Sequence, residues 1–279
     1  MNADETVPNP WQAVFDRQVG IRAVSGIAMA VIAIAGAVLG DWWAAGVAAV
    51  VTAAIHQEWT WLTEESRQPA IYYTAGLIIA LAFVAGGLAQ TGVVLAVTAV
   101  AFAAVSSHSA FRPIGVAYAA TFGMSVLLIR YSPDYGLAAT LILFTCVWAT
   151  DIGAFFAGRA IGGARLWPVV SPNKTWSGAI GGLVGGVAAG MIAAALLQVP
   201  LSPGLAVVLA VLAVAAEVGD LFESWVKRQA GEKDSGWLLP GHGGFMDRVD
   251  GLVVAGGLAL LIGWFHGGPG AIGAGIVQW

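Results

Sequence analysis

Between residues 19 and 267 the chain is a near-continuous succession of apolar stretches, each parted from the next by a few polar residues. A helix needs roughly 20 mostly apolar residues to cross the hydrocarbon core of a bilayer. Nine stretches meet or approach that length, at 19–39, 42–57, 70–89, 91–108, 112–130, 136–157, 176–198, 202–223 and 249–267. Composition agrees: of 279 residues, 58% are hydrophobic and 10% charged, and mean hydropathy is +0.81. So few charges cannot coat a water-soluble globule of this size, and they offer no basic face for nucleic acid. A cytosolic domain, a disordered chain and a nucleic-acid binder are thereby excluded. The expected class is an all-α polytopic membrane protein of about nine transmembrane helices.

Basic residues orient the spans. Asp4 and Glu5 stand where a secretory signal would carry positive charge, so the first span is expected to be retained. With the N-terminus in the cytoplasm, Arg17, Arg22, Arg67, Arg112, Arg159, Arg165, Lys174, Lys227, Arg228, Lys233 and Arg248 all fall inside, and Arg130 alone falls outside. That asymmetry is a positive-inside signal and places the C-terminus on the opposite face. The expected organisation is a cytoplasmic segment at 1–18, a transmembrane scaffold of about five helices at 19–134, a catalytic transmembrane region of about four helices at 135–268, and a tail at 269–279. Cys146 lies inside an apolar run, which excludes a disulfide framework or a Cys-rich metal site.

Charge is concentrated in the second half. Residues 68–150 hold only Arg112, Arg130 and Asp134, whereas 217–250 are dense in ionisable groups. Such groups at a membrane helix end need partners: one another, a metal or a substrate. At 100° per residue, Glu217, Asp220, Ser224, Lys227 and Arg228 share about 100° of arc at one end of the eighth span. Asp247 and Asp250, three apart, open the ninth span on one face. Two acidic helix ends that face each other can hold a divalent cation through carboxylate oxygens, with basic residues beside them for phosphate. A structural salt bridge is the plainer reading of Asp220 and Asp247, and a solvated loop that of Glu232, Lys233 and Asp234.

Pro240-Gly241-His242-Gly243-Gly244 joins these helices as either a simple turn or a backbone cradle for an anion. His242 is open to three roles: loop residue, proton carrier or phosphate donor. A second polar island holds Asp151, inside an otherwise apolar helix, then Arg159, Arg165 and Ser171-Pro172-Asn173-Lys174-Thr175. The Ser171–Lys174 run is expected to open a helix with N-cap chemistry, placing Lys174 to meet a phosphate. His56, Glu58 and Trp59 read as an interface anchor, and His108, Arg112 and His266 as boundary residues. Small residues from Gly181 to Gly186 permit tight helix contact within one chain or between two, so a homodimer is possible on this reading.

The gap-free run from Ser224 to Asp250, SWVKRQAGEKDSGWLLPGHGGFMDRVD, resembles the signature of the phosphatidate cytidylyltransferase (CDP-diacylglycerol synthase) family. Gly219-Asp220-Leu221, Asp151, Gly158-Arg159 and Ser171-Pro172-Asn173-Lys174-Thr175 resemble further motifs of that family, and the likeness covers about 145–255. Ser177 departs from it, since many members carry Glu there. The resemblance implies transfer of the cytidylyl group of CTP to phosphatidic acid, giving CDP-diacylglycerol and pyrophosphate. It also implies Mg²⁺, alone or with a second cation. Asp220 and Asp247 would then bind metal, supported by Asp250 and Asp151. Lys174, Lys227, Arg228, Lys233 and Arg248, with Ser224, His242, Gly243 and Gly244, would engage phosphates and shape the nucleotide site. The implied place is a cell inner membrane, with the site facing the cytoplasm. A CTP-dependent lipid-alcohol kinase and a secondary transporter are the rival readings.

Overall fold

A computed structural model describes residues 17–63, 70–236 and 243–279. The order is α1 (Arg17–Leu39), α2 (Asp41–Thr63), α3 (Ala70–Ala85), α4 (Ala89–Ser106), α5 (Phe111–Arg130), α6 (Gly136–Ile161), a two-stranded antiparallel hairpin β1 (Arg165–Trp167) and β2 (Ser171–Thr175), α7 (Trp176–Leu196), α8 (Pro203–Gln229), α9 (Met246–Gly267) and a short α10 (Ile272–Val277). Six of these helices, α4 to α9, are long and apolar enough to cross a membrane. The chain is therefore an all-α polytopic membrane protein. Large apolar side chains such as Val105, Phe156, Val184 and Phe265 are exposed along the helices, as a lipid-facing surface requires.

Small residues set the closest helix contacts. Along α7, Gly178, Gly182, Gly186 and Gly190 recur every fourth position and form a buried face. This face packs on α6: a Cβ added to Gly153 would lie 2.7 Å from the Gly181 carbonyl oxygen, and one added to Gly182 would lie 2.8 Å from that of Thr150. The small-residue stripe is thus used within the chain. At the start of α8 the local sequence supplies its own cap, the Ser202 hydroxyl accepting from Leu205 N–H at 3.0 Å with Pro203 following.

The hairpin corrects the reading of 171–174 as a helix start. Ser171–Thr175 is extended and pairs with β1, with Arg165 opposite Thr175 and Trp167 opposite Ser171. Thr175 is the cap of α7 instead, its hydroxyl accepting from Gly178 N–H at 3.1 Å. Ser171-Pro172 could open a helix as Ser202-Pro203 does, but pairing with β1 and the Arg228 bond to the Val170 carbonyl hold this stretch extended.

The two halves interlock. Trp59 of α2, Tyr118 of α5 and Phe222 of α8 form an aromatic plate with ring centroids 5.3–6.1 Å apart, extended by Trp225 at 6.1 Å from Phe222. The Trp59 indole N–H donates to the Phe111 carbonyl at 2.9 Å. At the other end of the bundle, Arg130 donates to the Ala37 carbonyl and the Tyr131 hydroxyl to that of Asp41, which pins the α1–α2 corner.

Candidate active site

Charged side chains gather at one end of the bundle, where the C-terminal ends of α2, α6 and α8 meet β2 and the start of α9. The approach of α8 to α9 depends on glycine: a Cβ on Gly219 would stand 2.5 Å from the Asp250 carbonyl oxygen and 3.0 Å from the Gly251 Cα. That contact brings Asp220, Glu223 and Asp250 together, with a carboxylate oxygen from each lying within 4.8 Å of the others. Sequence reasoning named Asp220 and Asp250 but passed over Glu223. One turn from Asp220 on the same helix, Glu223 is almost completely buried. Its Oε1 is buried without a hydrogen-bond partner, as is Oε1 of Glu217.

Two lysines flank this trio. Lys174, carried on β2, reaches Asp220 Oδ2 at 2.5 Å. Lys227 bridges Glu223 Oε2 and Asp247 Oδ1, both at 2.6 Å. Asp247 shares Lys227 with Glu223 but is not one of the three clustered carboxylates. Its Oδ2 accepts the backbone N–H groups of Ser235 at 3.1 Å and Gly244 at 2.8 Å. Gly243 has φ of +80°, and a Cβ there would approach Asp247 Oδ2 to 2.8 Å. Gly243 and Gly244 therefore wrap the Asp247 carboxylate, a turn conformation that glycine adopts without strain. The Ser224 hydroxyl lies 3.4 Å from Asp220 Oδ1.

The other expected phosphate ligands are spread out. Arg228 is tied to backbone, Nε donating to the Val170 carbonyl at 3.3 Å and a terminal nitrogen to that of Glu232 at 2.9 Å, which fastens the β1–β2 turn to α8. Lys233 is exposed on the loop. Arg248, Asp151 and Arg130 are among the residues that line an apolar cavity of about 960 Å³ between α1, α2, α5, α6 and α9. His242 lies outside the described residues.

Glu58 is a second group that sequence reasoning placed elsewhere. It is fully buried rather than an interface anchor, and it accepts from Phe245 N–H, Met246 N–H and the Ser235 hydroxyl. Nothing in the local sequence of α2 signals this, because its partners lie 177–188 residues away.

Hard oxygen donors clustered this closely suit a small divalent cation, and the unpartnered Glu223 oxygen beside them marks a coordination position that protein groups leave unfilled. Like charges in a partly buried site repel unless a cation offsets them.

The sequence profile of the cytidylyltransferase family matches residues 20–266. The chain belongs to the cytidylyltransferase family. The match runs through α1 to α9 and takes in every described member of the charged cluster. Among curated proteins, the phosphatidate cytidylyltransferase of Brucella abortus is 40% identical over 227 residues, covering 79% of this chain and 84% of that protein. That of Haemophilus influenzae is 44% identical over 130 residues, 45% of each chain, and that of Staphylococcus saprophyticus 38% identical over 143 residues, 51% of this chain and 54% of its own. For a cytidylyltransferase, a cluster of carboxylates and lysines beside an apolar cavity has an evident use.

Proposed function

We propose that this cytidylyltransferase joins CTP and phosphatidic acid to give CDP-diacylglycerol and pyrophosphate. The observation that carries the reading is the grouping of Asp220, Glu223 and Asp250 between Lys174 and Lys227, with a cavity nearby that Arg248 and Asp151 help to line. The names of the relatives supply the substrates. A lipid phosphate and a nucleotide triphosphate need a cationic, metal-competent place where bilayer and water meet.

In the reaction an oxygen of the phosphatidate phosphate attacks the α-phosphorus of CTP. The bond to the β-phosphate breaks and pyrophosphate departs with its electron pair. The nucleophile is already ionised at neutral pH, so no strong base is needed. The barrier lies mainly in bringing anions together, and positioning with charge neutralisation lowers it. Asp220, Glu223 and Asp250 are the proposed ligands for Mg²⁺, with Asp247, Asp151 and a second cation held as extensions of the same site. Bound there, Mg²⁺ supplies Lewis acidity toward phosphate oxygens. Lys174 and Lys227 would exchange part of their carboxylate pairing for phosphate oxygens as substrates arrive. Arg228 holds the hairpin that carries Lys174, while Arg248 faces the lipid side. The apolar cavity would take acyl chains.

The proposed topology has nine crossings, α1 to α9, with the N-terminus and the charged cluster in the cytoplasm and the protein in a cell inner membrane. A homodimer belongs to the same reading, on a surface other than the α6–α7 contact, and light scattering of the detergent-solubilised protein tests it. The reaction is tested by incubating purified protein with α-labelled CTP, Mg²⁺ and phosphatidic acid. Label in CDP-diacylglycerol supports the reading; label in free CDP, with a phosphorylated lipid alcohol as the other product, overturns it.

A further inference from the structure

Helix α9 starts without a cap of its own. Phe245, at the N-cap position, already has helical angles (φ −63°, ψ −39°), and its side chain makes no capping bond. The first N–H groups of a helix need acceptors and carry about half a positive charge between them. Two of them are met here from the other half of the chain. Phe245 N–H donates to Glu58 Oε1 at 2.9 Å, and Met246 N–H donates to Glu58 Oε2 at 2.8 Å. The Ser235 hydroxyl donates to Oε2 at 3.2 Å.

The surroundings are shaped for this carboxylate. A Cβ on Gly236 would lie 2.9 Å from Glu58 Cγ, and one on Gly244 would lie 2.5 Å from Oε2. Glu58 thus touches the loop between α8 and α9 on both sides, at Ser235–Gly236 where the loop departs and at Gly244–Met246 where it returns. A carboxylate with no solvent exposure is costly unless its oxygens are used, and both are. Four residues beyond Met246, on the helix so anchored, stands Asp250.

We propose that Glu58 is a positioning residue for the active site: by fixing the first turn of α9 and pinning Ser235 beside it, it sets where Asp250 stands relative to Asp220 and Glu223. This rests on the assignment of those three carboxylates to the metal site. A displacement of a ligand-bearing helix by a fraction of an ångström weakens coordination and slows the reaction, because catalysis depends on near-attack geometry.

The test is Glu58→Gln in the full-length purified enzyme. Glutamine keeps the shape, but its NH₂ group cannot accept a backbone N–H, so one of the two helix-start bonds is lost. Two readouts are taken on folded protein. Mn²⁺ binding, followed by electron paramagnetic resonance without substrates, is expected to weaken by about tenfold. The Mg²⁺ concentration for half-maximal CDP-diacylglycerol formation is expected to rise by a similar factor, with kcat reduced. A residue that only supports stability would lower the yield of folded protein and leave both metal responses at wild-type values; that result overturns the proposal. Should Glu58→Gln fail to fold, Gly236→Ala takes its place, because its methyl group crowds Glu58 without removing the carboxylate. The same shift then supports the proposal, and wild-type metal responses refute it. A wild-type enzyme that binds Mn²⁺ yet makes no CDP-diacylglycerol refutes the reaction instead, while weaker Mn²⁺ binding by Glu58→Gln still supports Glu58.

Discussion

Gly219 on α8 meets Gly251 on α9 so closely that a methyl group on Gly219 would lie 3.0 Å from the Gly251 Cα. The neighbouring residues, Asp220 and Asp250, supply two of the three clustered carboxylates. Gly219→Ala is expected to push the helices apart, at an overpacking cost of about 1–3 kcal/mol. Thermal unfolding in detergent and initial rates of cytidylyl transfer check this. A lower Tm together with a larger loss of rate is the expected pair of results.

Removing a single carboxylate of the trio tests the proposed metal site separately from the fold. Glu223→Gln and Asp250→Asn each keep the side-chain volume and are expected to cut turnover by about 10²-fold or more. Their extraction and chromatographic behaviour should match wild type. Full activity in either variant would remove that residue from the site.

The Lys227 bridge can be dissected by a double-mutant cycle. Lys227→Met leaves Glu223 and Asp247 without their shared cation, and a broken buried ion pair costs about 3–5 kcal/mol. Asp247→Asn weakens the same bridge from the other side. The double variant is expected to be destabilised by less than the sum of the two single changes, with a coupling of about 0.5–3 kcal/mol read from unfolding midpoints. Strict additivity would mean that the two residues do not act on each other.

Arg228, near the end of α8, donates to the Val170 carbonyl in the hairpin turn and to the Glu232 carbonyl just past its own helix. Lysine keeps the charge but has no planar fork to reach both. Arg228→Lys is expected to loosen β2 and thereby Lys174, raising KM for CTP several-fold while leaving the Tm nearly unchanged. Steady-state kinetics with CTP varied at saturating lipid provides the measurement.

The membrane class, the helix positions and the gathering of charge at the α8–α9 junction were legible because hydropathy is additive along the chain and helical spacing aligns nearby charges. Asp220 and Asp250 were placed at that junction on those grounds. Glu223 was overlooked because it falls outside the arc drawn through Glu217, Asp220 and Lys227, although it sits one turn from Asp220 and faces the inter-helix space. Glu58 was illegible for a different reason: its partners are two backbone N–H groups and a serine hydroxyl more than 170 residues away, and no spacing rule reaches that far. The hairpin at 165–175 escaped because cap-forming Ser and Asn also suit strands and turns, and the tertiary contact with Arg228 decided between them.

The aromatic plate of Trp59, Tyr118 and Phe222 bears on whether this enzyme can be taken apart. Severing the chain in the turn after α5 would strip the half that carries the carboxylate trio of the surface on which Phe222 rests, and would take away the acceptor at the start of its final long helix. Such a fragment expressed by itself should be degraded or misassembled. Supplied together with its missing portion, it should recover function, as two pieces that fit along a ready-made seam.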